Sequence, residues 1–422
     1  MNGDRVYLCI DLKSFYASVE CVERGLDPMK ANLVVADPER DKGTICLAVT
    51  PAMRELGVKN RCRVYEIPET IPYIMAPPRM KLYIRYAAEI YGIYLRYMAK
   101  EDIHVYSVDE AFFDAAPYLS MYRMGAEELA LMLMRAVKEE TGITASAGAG
   151  TNLFLAKAAL DILAKHKTDR FSYLDEERFR RILWDHRPLT DFWRIGTGME
   201  KRLQSMGLYT MKDIAQADEA ALYRMFGVDA EILIDHAWGQ ESVTMADIKN
   251  YRPKSSSISS SQVLLRDYSF EEGALILRQM TDALCLEMLE RGVVTRSVTL
   301  VVGYSYVTQQ RADRGTVSLP SATNLYRMIL PSLAGLYENM VKKTLPIRKI
   351  SITCNRVREE GYEQLSLFQE LSSIDKERRL QRAVMEVKSR YGKNALIRGR
   401  DLLEAGTAMR RNEQIGGHRS GD

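Results

Sequence analysis

The sequence lacks the features that mark several common protein classes. Its 422 residues include only six cysteines, which are scattered and never form a C-x-x-C pair. Together with the missing leader sequence, this spacing argues against a zinc site or a disulfide framework and favours a reducing cytoplasm. No apolar stretch is long enough to span a bilayer, and the N-terminal run "VYLCI" ends at Asp11. We therefore expect a cytoplasmic protein that has no membrane partner.

The net charge is also small, but the charged residues are unevenly distributed along the chain. The formal net charge is only +3. Residues 1–251 carry 32 Lys and Arg against 37 Asp and Glu, residues 252–358 carry 15 against 8, and residues 374–422 carry 12 against 7. A basic C-terminal half favours a polyanion partner for that half. An ordinary solvated surface is an equally good interpretation of the charge alone.

The length predicts two to four domains, because 422 residues exceed one compact core. In the first part of the chain, strand-like segments such as "RVYLCI" are mixed with helical segments such as "NLFLAKAALDILAKHK", for which Asn152 is the expected N-cap. This mixture predicts an α+β core.

The C-terminal half has its own pattern, which begins after the serine-rich, linker-like stretch "RPKSSSISSSQ" (residues 252–262). We predict strand, helix, strand, strand, helix and strand at about 256–266, 270–291, 296–307, 313–319, 323–343 and 347–357. That order is the split βαβ arrangement. A charged helix follows, and the polar, glycine-dotted ending is expected to be mobile.

Short glycine-broken helices are predicted in "RIGTGMEKRLQSMGLYTMKDIA" (residues 194–215). This pattern is typical of a helix-hairpin-helix, in which the turn at Gly196 and Gly198 would present backbone N–H groups to a DNA phosphate. An ordinary helical hairpin is the alternative.

Two adjacent carboxylates, Asp109 and Glu110, lie in the apolar segment "YSVDEAFFD". Burying such a pair is costly, and both side chains can reach one site only at a strand end or turn. Asp11 also follows an apolar strand, so three carboxylates could gather at neighbouring strand ends. Mg²⁺ prefers carboxylate oxygens, and two such ions suit phosphoryl transfer. On spacing alone, a solvated turn remains an alternative.

The residues around these carboxylates resemble a known family. "DLKSFYASVE" (11–20) and "YSVDEAFFD" (106–114) resemble, in order and separation, the two catalytic motifs of the Y-family lesion-bypass DNA polymerases, most closely the bacterial UmuC-like branch. The resemblance extends through "AMRELGVKNRCRVYE", the helix-hairpin-helix, the basic split βαβ segment and "QLSLF", about residues 5–368.

The resemblance implies a multidomain α+β right-hand polymerase with small fingers, a helix-hairpin-helix thumb and a split-βαβ little finger. The implied segments are palm 1–24 and 81–173, fingers 25–80, thumb 174–245, little finger 246–358, a clamp-binding linker 359–373 and a charged C-terminal tail 374–422.

The implied activity is template-dependent, low-fidelity translesion DNA synthesis, with roles in DNA repair, the SOS response and mutagenesis. A primer 3′-hydroxyl would attack the α-phosphate of a dNTP, and an open site would admit damaged template bases. No constellation typical of a proofreading exonuclease is visible. The alternatives are a non-catalytic adaptor bound to DNA and a sliding clamp, and a two-metal nuclease or cyclase on the same kind of palm.

The resemblance also implies roles for individual residues. Asp11, Asp109 and Glu110 would ligate two Mg²⁺ ions, with the Leu12 carbonyl as a further ligand. Tyr16 would lie beneath the sugar of the incoming nucleotide and reject ribonucleotides.

Other residues would bind elsewhere on the same nucleotide. Phe15 would be the neighbour of that tyrosine. Arg54 and Lys165 would contact the triphosphate, and Thr50 would take part of a contact that relatives make with a tyrosine. In the family, the lysine that corresponds to Lys165 lies one residue closer to the preceding lysine, here Lys157.

Residues of the C-terminal half would bind macromolecules. Basic side chains of the little finger, Arg291, Arg296 and Lys349 among them, would grip primer-template phosphates without reading sequence. "QLSLF" resembles the bacterial sliding-clamp-binding peptide: Gln364 would enter a polar pocket, and Leu365, Leu367 and Phe368 would supply apolar contacts. A local strand or hydrophobic staple is the alternative. The resemblance also allows accessory subunits or a recombinase filament as partners.

Overall fold

The computed structural model describes residues 5–40, 42–253, 256–361 and 371–421, with no description of the Leu371 and Ser373 side chains. The chain divides into two compact units. The first contains Met1–Tyr251 together with Arg419–Asp422, and the second contains Arg252–His418. Within the described residues, no helix combines the length and the apolar character that crossing a membrane requires.

The first unit mixes strands and helices throughout. Its strands are β1 (Tyr7–Leu12), β2 (Leu33–Val35), β3 (Ala48–Val49), β4 (Ile74–Ala76), β5 (Ile103–Val105), β6 (Glu110–Asp114), β7 (Ala145–Gly150) and β8 (Phe171–Leu174). Its α-helices are α1 (Phe15–Val22), α2 (Pro51–Glu55), α3 (Met80–Tyr94), α4 (Ala116–Tyr122), α5 (Ala126–Thr141), α6 (Leu153–Ala158), α7 (Glu176–Ile182), α8 (Thr197–Ser205), α9 (Met211–Ala215), α10 (Glu219–Phe226), α11 (Asp229–Trp238) and α12 (Met245–Asn250).

Two sheets organise this unit. The larger has the order β5-β6-β1-β7-β8, and β1 is antiparallel to both β6 and β7. The smaller has the order β3-β2-β4 and lies in the segment predicted as fingers. Helices α7 to α11 share a separate apolar core with α6.

Strand β7, "ASAGAG", is composed of small residues because α6 packs directly on it. A Cβ atom on Gly148 would overlap backbone atoms of Ala156 and Leu160. As predicted, Asn152 caps α6, and its side chain accepts a hydrogen bond from Leu155 N at 2.8 Å. The helix then widens into a π-helix over Ala159–Leu163.

The second unit confirms the predicted order of strands and helices. Its elements are β9 (Ser256–Tyr268), α13 (Phe270–Glu290), β10 (Val293–Tyr304), β11 (Asp313–Thr323), α14 (Tyr326–Met340), β12 (Ile347–Glu359), α15 (Leu371–Tyr391), α16 (Ala408–Asn412), β13 (Gln414–Ile415) and β14 (His418–Arg419), whose last residue belongs to the first unit. The antiparallel sheet has the order β11-β10-β12-β9, and α13 and α14 cover one face.

Helix α12 belongs to the first unit, where the Lys249 ammonium donates to the Ile103 carbonyl, and the boundary between the two units follows residue 251. The division into palm, fingers, thumb and little finger stays a prediction. One expectation from the sequence was wrong. The expected mobile ending instead packs against α13. The Arg398 guanidinium contacts Asp282 at 2.6 Å, and the Gln279 amide donates to Asp401 at 3.0 Å.

We expect Gly148→Ala to lower the free energy of unfolding by about 3 kcal/mol, because the added methyl group meets rigid backbone. Urea unfolding of the purified protein measures this loss. The control is Gly92→Ala in α3, where a Cβ meets no atom within 4 Å. There the change should be neutral or stabilising by about 0.5–1 kcal/mol. Equal stability of the two variants would contradict the close packing of α6 on β7.

Candidate active site

The three predicted carboxylates lie at one end of the larger sheet. Antiparallel pairing sets Asp11 on β1 directly opposite Glu110 on β6, so the two side chains share a face. Asp109 lies in the bend just before β6, where its carbonyl accepts a hydrogen bond from Leu12 N at 2.8 Å. The adjacent acidic pair is therefore located at a strand start, where the strict alternation of side chains does not apply.

Two lysines bind these carboxylates. The Lys157 ammonium lies 2.6 Å from Glu110 Oε1 and 3.0 Å from Asp161 Oδ2. The Lys165 ammonium lies 2.8 Å from Asp161 Oδ1 and 3.3 Å from Asp11 Oδ2. Asp161 thus holds both lysines against the cluster.

Sequence reasoning did not assign a site role to Lys157 or Asp161. Their i, i+4 spacing with Lys165 was visible in the sequence, but it fits an exposed row of ion pairs equally well. In the structure Lys157 is buried, and it also lies 5.9 Å from the centre of the Tyr106 ring. The missing signal was the close approach of α6 to β1, which is a tertiary feature.

The π-helix explains how Lys165 reaches the cluster. The sequence places Lys165 one residue further from Lys157 than the resemblance implies. A π-helical turn accommodates one extra residue and is often found at functional sites. Residues Ala159–Leu163 form this turn, and Lys165 then contacts Asp11.

Electrostatics at the cluster favour additional positive charge. Burial raises the pKa of Asp11 to about 6; Lys165 opposes this shift, and the neighbouring Asp109 and Glu110 add to it. Burial alone would lower the pKa of Lys157, but Cys9, Asp161 and Glu110 outweigh it and raise that pKa. Four carboxylates (Asp11, Asp109, Glu110 and Asp161) lie near two ammonium groups and the Arg54 guanidinium, which also interacts with Asp11, so the cluster still has fewer cations than carboxylates.

The donor chemistry of the cluster fits a divalent metal, but the side chains are not arranged around one. Over residues 5–40, 42–253, 256–361 and 371–421, no group of three or more His, Cys, Asp or Glu side chains has metal-binding geometry. The Asp11 and Glu110 oxygens contact the two ammonium groups instead. Hard carboxylate oxygens are suitable ligands for Mg²⁺ once they exchange an ammonium for the ion.

The two predicted sugar-side aromatics differ in exposure. Tyr16 is partly exposed, and burial together with the nearby Asp109 carboxylate raises its pKa. Its ring stacks on Tyr83 with centroids 4.5 Å apart. Phe15 is only 3% exposed, so it lies in the core beneath Tyr16 rather than on the surface.

The two residues of the predicted fingers, Arg54 and Thr50, also differ in their surroundings. The Arg54 guanidinium donates to the Ser14 hydroxyl at 2.7 Å, which places it beside the turn that follows Asp11. Thr50 is fully buried, and its hydroxyl accepts a hydrogen bond from Leu33 N at 3.2 Å. The triphosphate contact expected for Thr50 stays a prediction.

The glycines of the predicted helix-hairpin-helix lie at the start of α8. Gly196 is its N-cap, with φ −90°, and Gly198 is in its first turn. A single 3₁₀ turn, Leu189–Asp191, precedes them. A Cβ at either glycine would meet no atom within 4 Å, so neither packing nor backbone conformation within the chain requires glycine there.

The basic residues expected to bind DNA are dispersed over the second unit. Lys349 lies on the sheet face opposite the helices, by alternation with the buried Ile350. That face is rich in hydroxyl groups, such as the Thr299–Thr316 pair at 2.8 Å. Arg296 is exposed beside a β-bulge, and Arg291 pairs with Glu287 at the end of α13. The residues Gln364, Leu365, Leu367 and Phe368 lie outside the described part of the chain.

The chain matches known families along most of its length. Residues 10–161 match the model of the impB/mucB/samB family, and residues 255–367 match the C-terminal domain of the same family. A Bacillus subtilis protein named as a UV-damage repair protein, UvrX, is 32% identical over 98% of this chain and 97% of its own length. The protein named DNA polymerase IV 2 of the same organism is 27% identical over 99% of this chain and 100% of its own length.

A solved structure shares the fold. The Y-family DNA polymerase chimera Dbh-Dpo4(243-245)-Dbh aligns with a TM-score of 0.67, covering 84% of this chain and 99% of the chimera, at 18% identity. At that identity the likeness supports the architecture alone.

We expect Lys157→Met to lower the free energy of unfolding in metal-free buffer by about 3 kcal/mol, because Glu110 is left buried without a cation. The control is Lys165→Met, whose side chain is 34% exposed. In this variant the free energy of unfolding should fall by less than about 1 kcal/mol. Adding Mn²⁺ should narrow the gap between the variants, because the ion replaces the missing charge. Equal losses in urea unfolding would contradict the different burial of the two lysines.

Proposed function

Since this chain belongs to the impB/mucB/samB family and is a Y-family DNA-directed DNA polymerase, we propose that the carboxylate cluster of β1 and β6 is its nucleotidyl-transfer centre. The chain performs template-dependent translesion synthesis with a divalent metal requirement. The observation that carries the proposal is the register that sets Asp11 opposite Glu110, with Asp109 beside them. The alternative function, a non-catalytic adaptor, has no support among the relatives that are named as polymerases.

The metal ligands in this proposal are Asp11, Asp109, Glu110 and the Leu12 carbonyl, and the cofactor is two Mg²⁺ ions. When bound, such ions activate the attacking oxygen and neutralise the leaving phosphate. The primer 3′-hydroxyl would lose its proton to solvent, and its oxygen would bond to the α-phosphorus of the dNTP. The bond between the α-phosphorus and the bridging oxygen would break, and pyrophosphate would leave with that oxygen. The cation deficit of the cluster supports this assignment.

Arg54 and Lys165 are the proposed triphosphate ligands. Both already lie at the C-terminal end of β1: Lys165 contacts Asp11 on the strand, and Arg54 contacts Ser14 in the turn that follows it. A guanidinium and an ammonium suit phosphate oxygens. The Asp161 carboxylate lies 2.8 Å from the Lys165 ammonium and keeps it directed at this end of β1.

Tyr16 is the proposed sugar gate, and Phe15 supports it from the core. A flat ring beneath the sugar leaves no space for a 2′-hydroxyl. Burial raises the pKa of Tyr16 and the Asp109 carboxylate adds to this shift, so Tyr16 lies close enough to the carboxylate cluster to support the proposed position.

DNA would be held by backbone and basic groups without reading of sequence. The open surroundings of Gly196 and Gly198 leave room for a phosphate to approach the N-terminus of α8. Arg291, Arg296 and Lys349 would contribute positive charge from the second unit. Lys349 would do so from the hydroxyl-rich face, whose Ser and Thr side chains can also bond phosphates.

The partners beyond DNA and dNTP rest on the sequence motif alone. We propose that Gln364, Leu365, Leu367 and Phe368 bind a bacterial sliding clamp, and that the protein works in the cytoplasm, where its template is. Accessory subunits or a recombinase filament, and expression in the SOS response, belong to the same proposal.

Primer extension tests the proposal. With Mg²⁺, the parent should extend a primed template, including past an abasic site, whereas Asp109→Asn/Glu110→Gln should lose at least about a thousandfold in rate. The matched control is Asp114→Asn at the far end of the same strand, where the carboxylate lies opposite Tyr7. This control should retain parental extension. Undiminished extension by the double variant would remove the cluster from the reaction.

A further inference from the structure

The proposed sugar gate rests on a second aromatic ring. Tyr16 on α1 stacks on Tyr83 on α3, with ring centroids 4.5 Å apart and an interplanar angle of 18°. Tyr83 has no exposed surface. The buried Tyr83 ring therefore occupies the space into which the Tyr16 ring would otherwise be able to move.

A buried carboxylate fixes this second ring. The Tyr83 hydroxyl donates to Glu20 Oε1 at 2.7 Å, and Glu20 is fully buried. Arg79 holds the same carboxylate through two hydrogen bonds, at 3.0 and 2.9 Å, and Arg24 also pairs with it. A buried carboxylate that loses a hydrogen-bond donor is strongly destabilised. The donors around Glu20 therefore keep the carboxylate, and with it the Tyr83 hydroxyl, in one position.

The charge on Glu20 makes this support strong. Burial alone would raise the pKa of Glu20, but the hydrogen bonds from Arg79, Tyr83 and Arg24 outweigh it and hold the pKa below its ordinary value. The carboxylate is therefore ionised at neutral pH, and hydrogen bonds to an ionised acceptor are roughly twice as strong as neutral ones. The Tyr83 side chain is thus held at its hydroxyl by Glu20, and one face of its ring is covered by Tyr16.

We propose that Tyr83 and Glu20 are positioning residues for sugar selection: they fix the depth of the Tyr16 ring and so determine how strictly ribonucleotides are rejected. The proposal rests on the proposed role of Tyr16 as the gate. A ring that can retreat by about the width of one atom would admit a 2′-hydroxyl at low cost, so immobility matters as much as bulk.

The experiment is single-nucleotide insertion with dNTP and with the matching rNTP, read out as the ratio of the two kcat/KM values. Tyr83→Leu opens space behind Tyr16 and should lower the dNTP preference by about tenfold or more. Tyr83→Phe keeps the stacked ring but releases it from Glu20, and should lower the preference by about threefold. Insertion of the dNTP itself should change less than the ratio, because the reacting groups are untouched.

The matched control is Tyr86→Phe. Tyr86 lies one turn further along α3, and its hydroxyl donates to Glu23 at 2.8 Å, so the variant removes the same kind of bond between the same two helices. It should leave the dNTP preference at the parental value. Melting temperatures of all variants show whether a change in the ratio accompanies a loss of folding.

Tyr16→Ala separates this inference from the proposed function. If Tyr16→Ala does not lower the dNTP preference, Tyr16 is not the gate and the proposed function is wrong on this point. If Tyr16→Ala lowers it but neither Tyr83 variant does, the positioning role is wrong and the gate stands. In Tyr16→Ala/Tyr83→Leu the preference should equal that of Tyr16→Ala, since two residues that act through one contact are not additive.

Discussion

The structure of the candidate active site depends on the antiparallel pairing of β1 with β6. In the observed register, Asp11 lies opposite Glu110, and the bend before β6 adds Asp109. A shift of one residue would turn one of these side chains to the other face of the sheet, because strand side chains alternate with a period of two. Burying and gathering the carboxylates carries an electrostatic cost: burial, and to a smaller extent the neighbouring Asp109 and Glu110, raise the pKa of Asp11. Two lysines offset part of that cost, and the remaining negative charge is the basis for the proposed metal site.

The lysines reach the carboxylates because helix α6 approaches the sheet closely. Strand β7 consists of alanine, serine and glycine, and it runs beside β1, so the helix lies directly over the strand. Lys157 is thereby carried to Glu110, and the π-helical turn that follows brings Lys165 to Asp11. Small side chains on one strand thus determine the electrostatics on the neighbouring strand.

Much of this could be predicted from the sequence, because the informative signals are local. The carboxylates stand beside apolar strand segments, and the second unit alternates strand and helix patterns cleanly, so its element order was confirmed. Features set by tertiary contact could not be predicted. The complete burial of Thr50 is one example, because it depends on a hydrogen bond that its hydroxyl accepts from Leu33 of β2. The C-terminal ending appeared free, since the Asp282 that pairs with Arg398 is more than a hundred residues away.

The central claim is that the cluster around Asp11 and Glu110 binds the catalytic metal ions. Titration of Mn²⁺, followed by electron paramagnetic resonance of the free ion, tests it most directly, with primer-template and a non-hydrolysable dNTP present. The account predicts about two tightly bound ions per chain in the parent and loss of tight binding in Asp11→Asn. An unchanged stoichiometry and affinity in Asp11→Asn would contradict it.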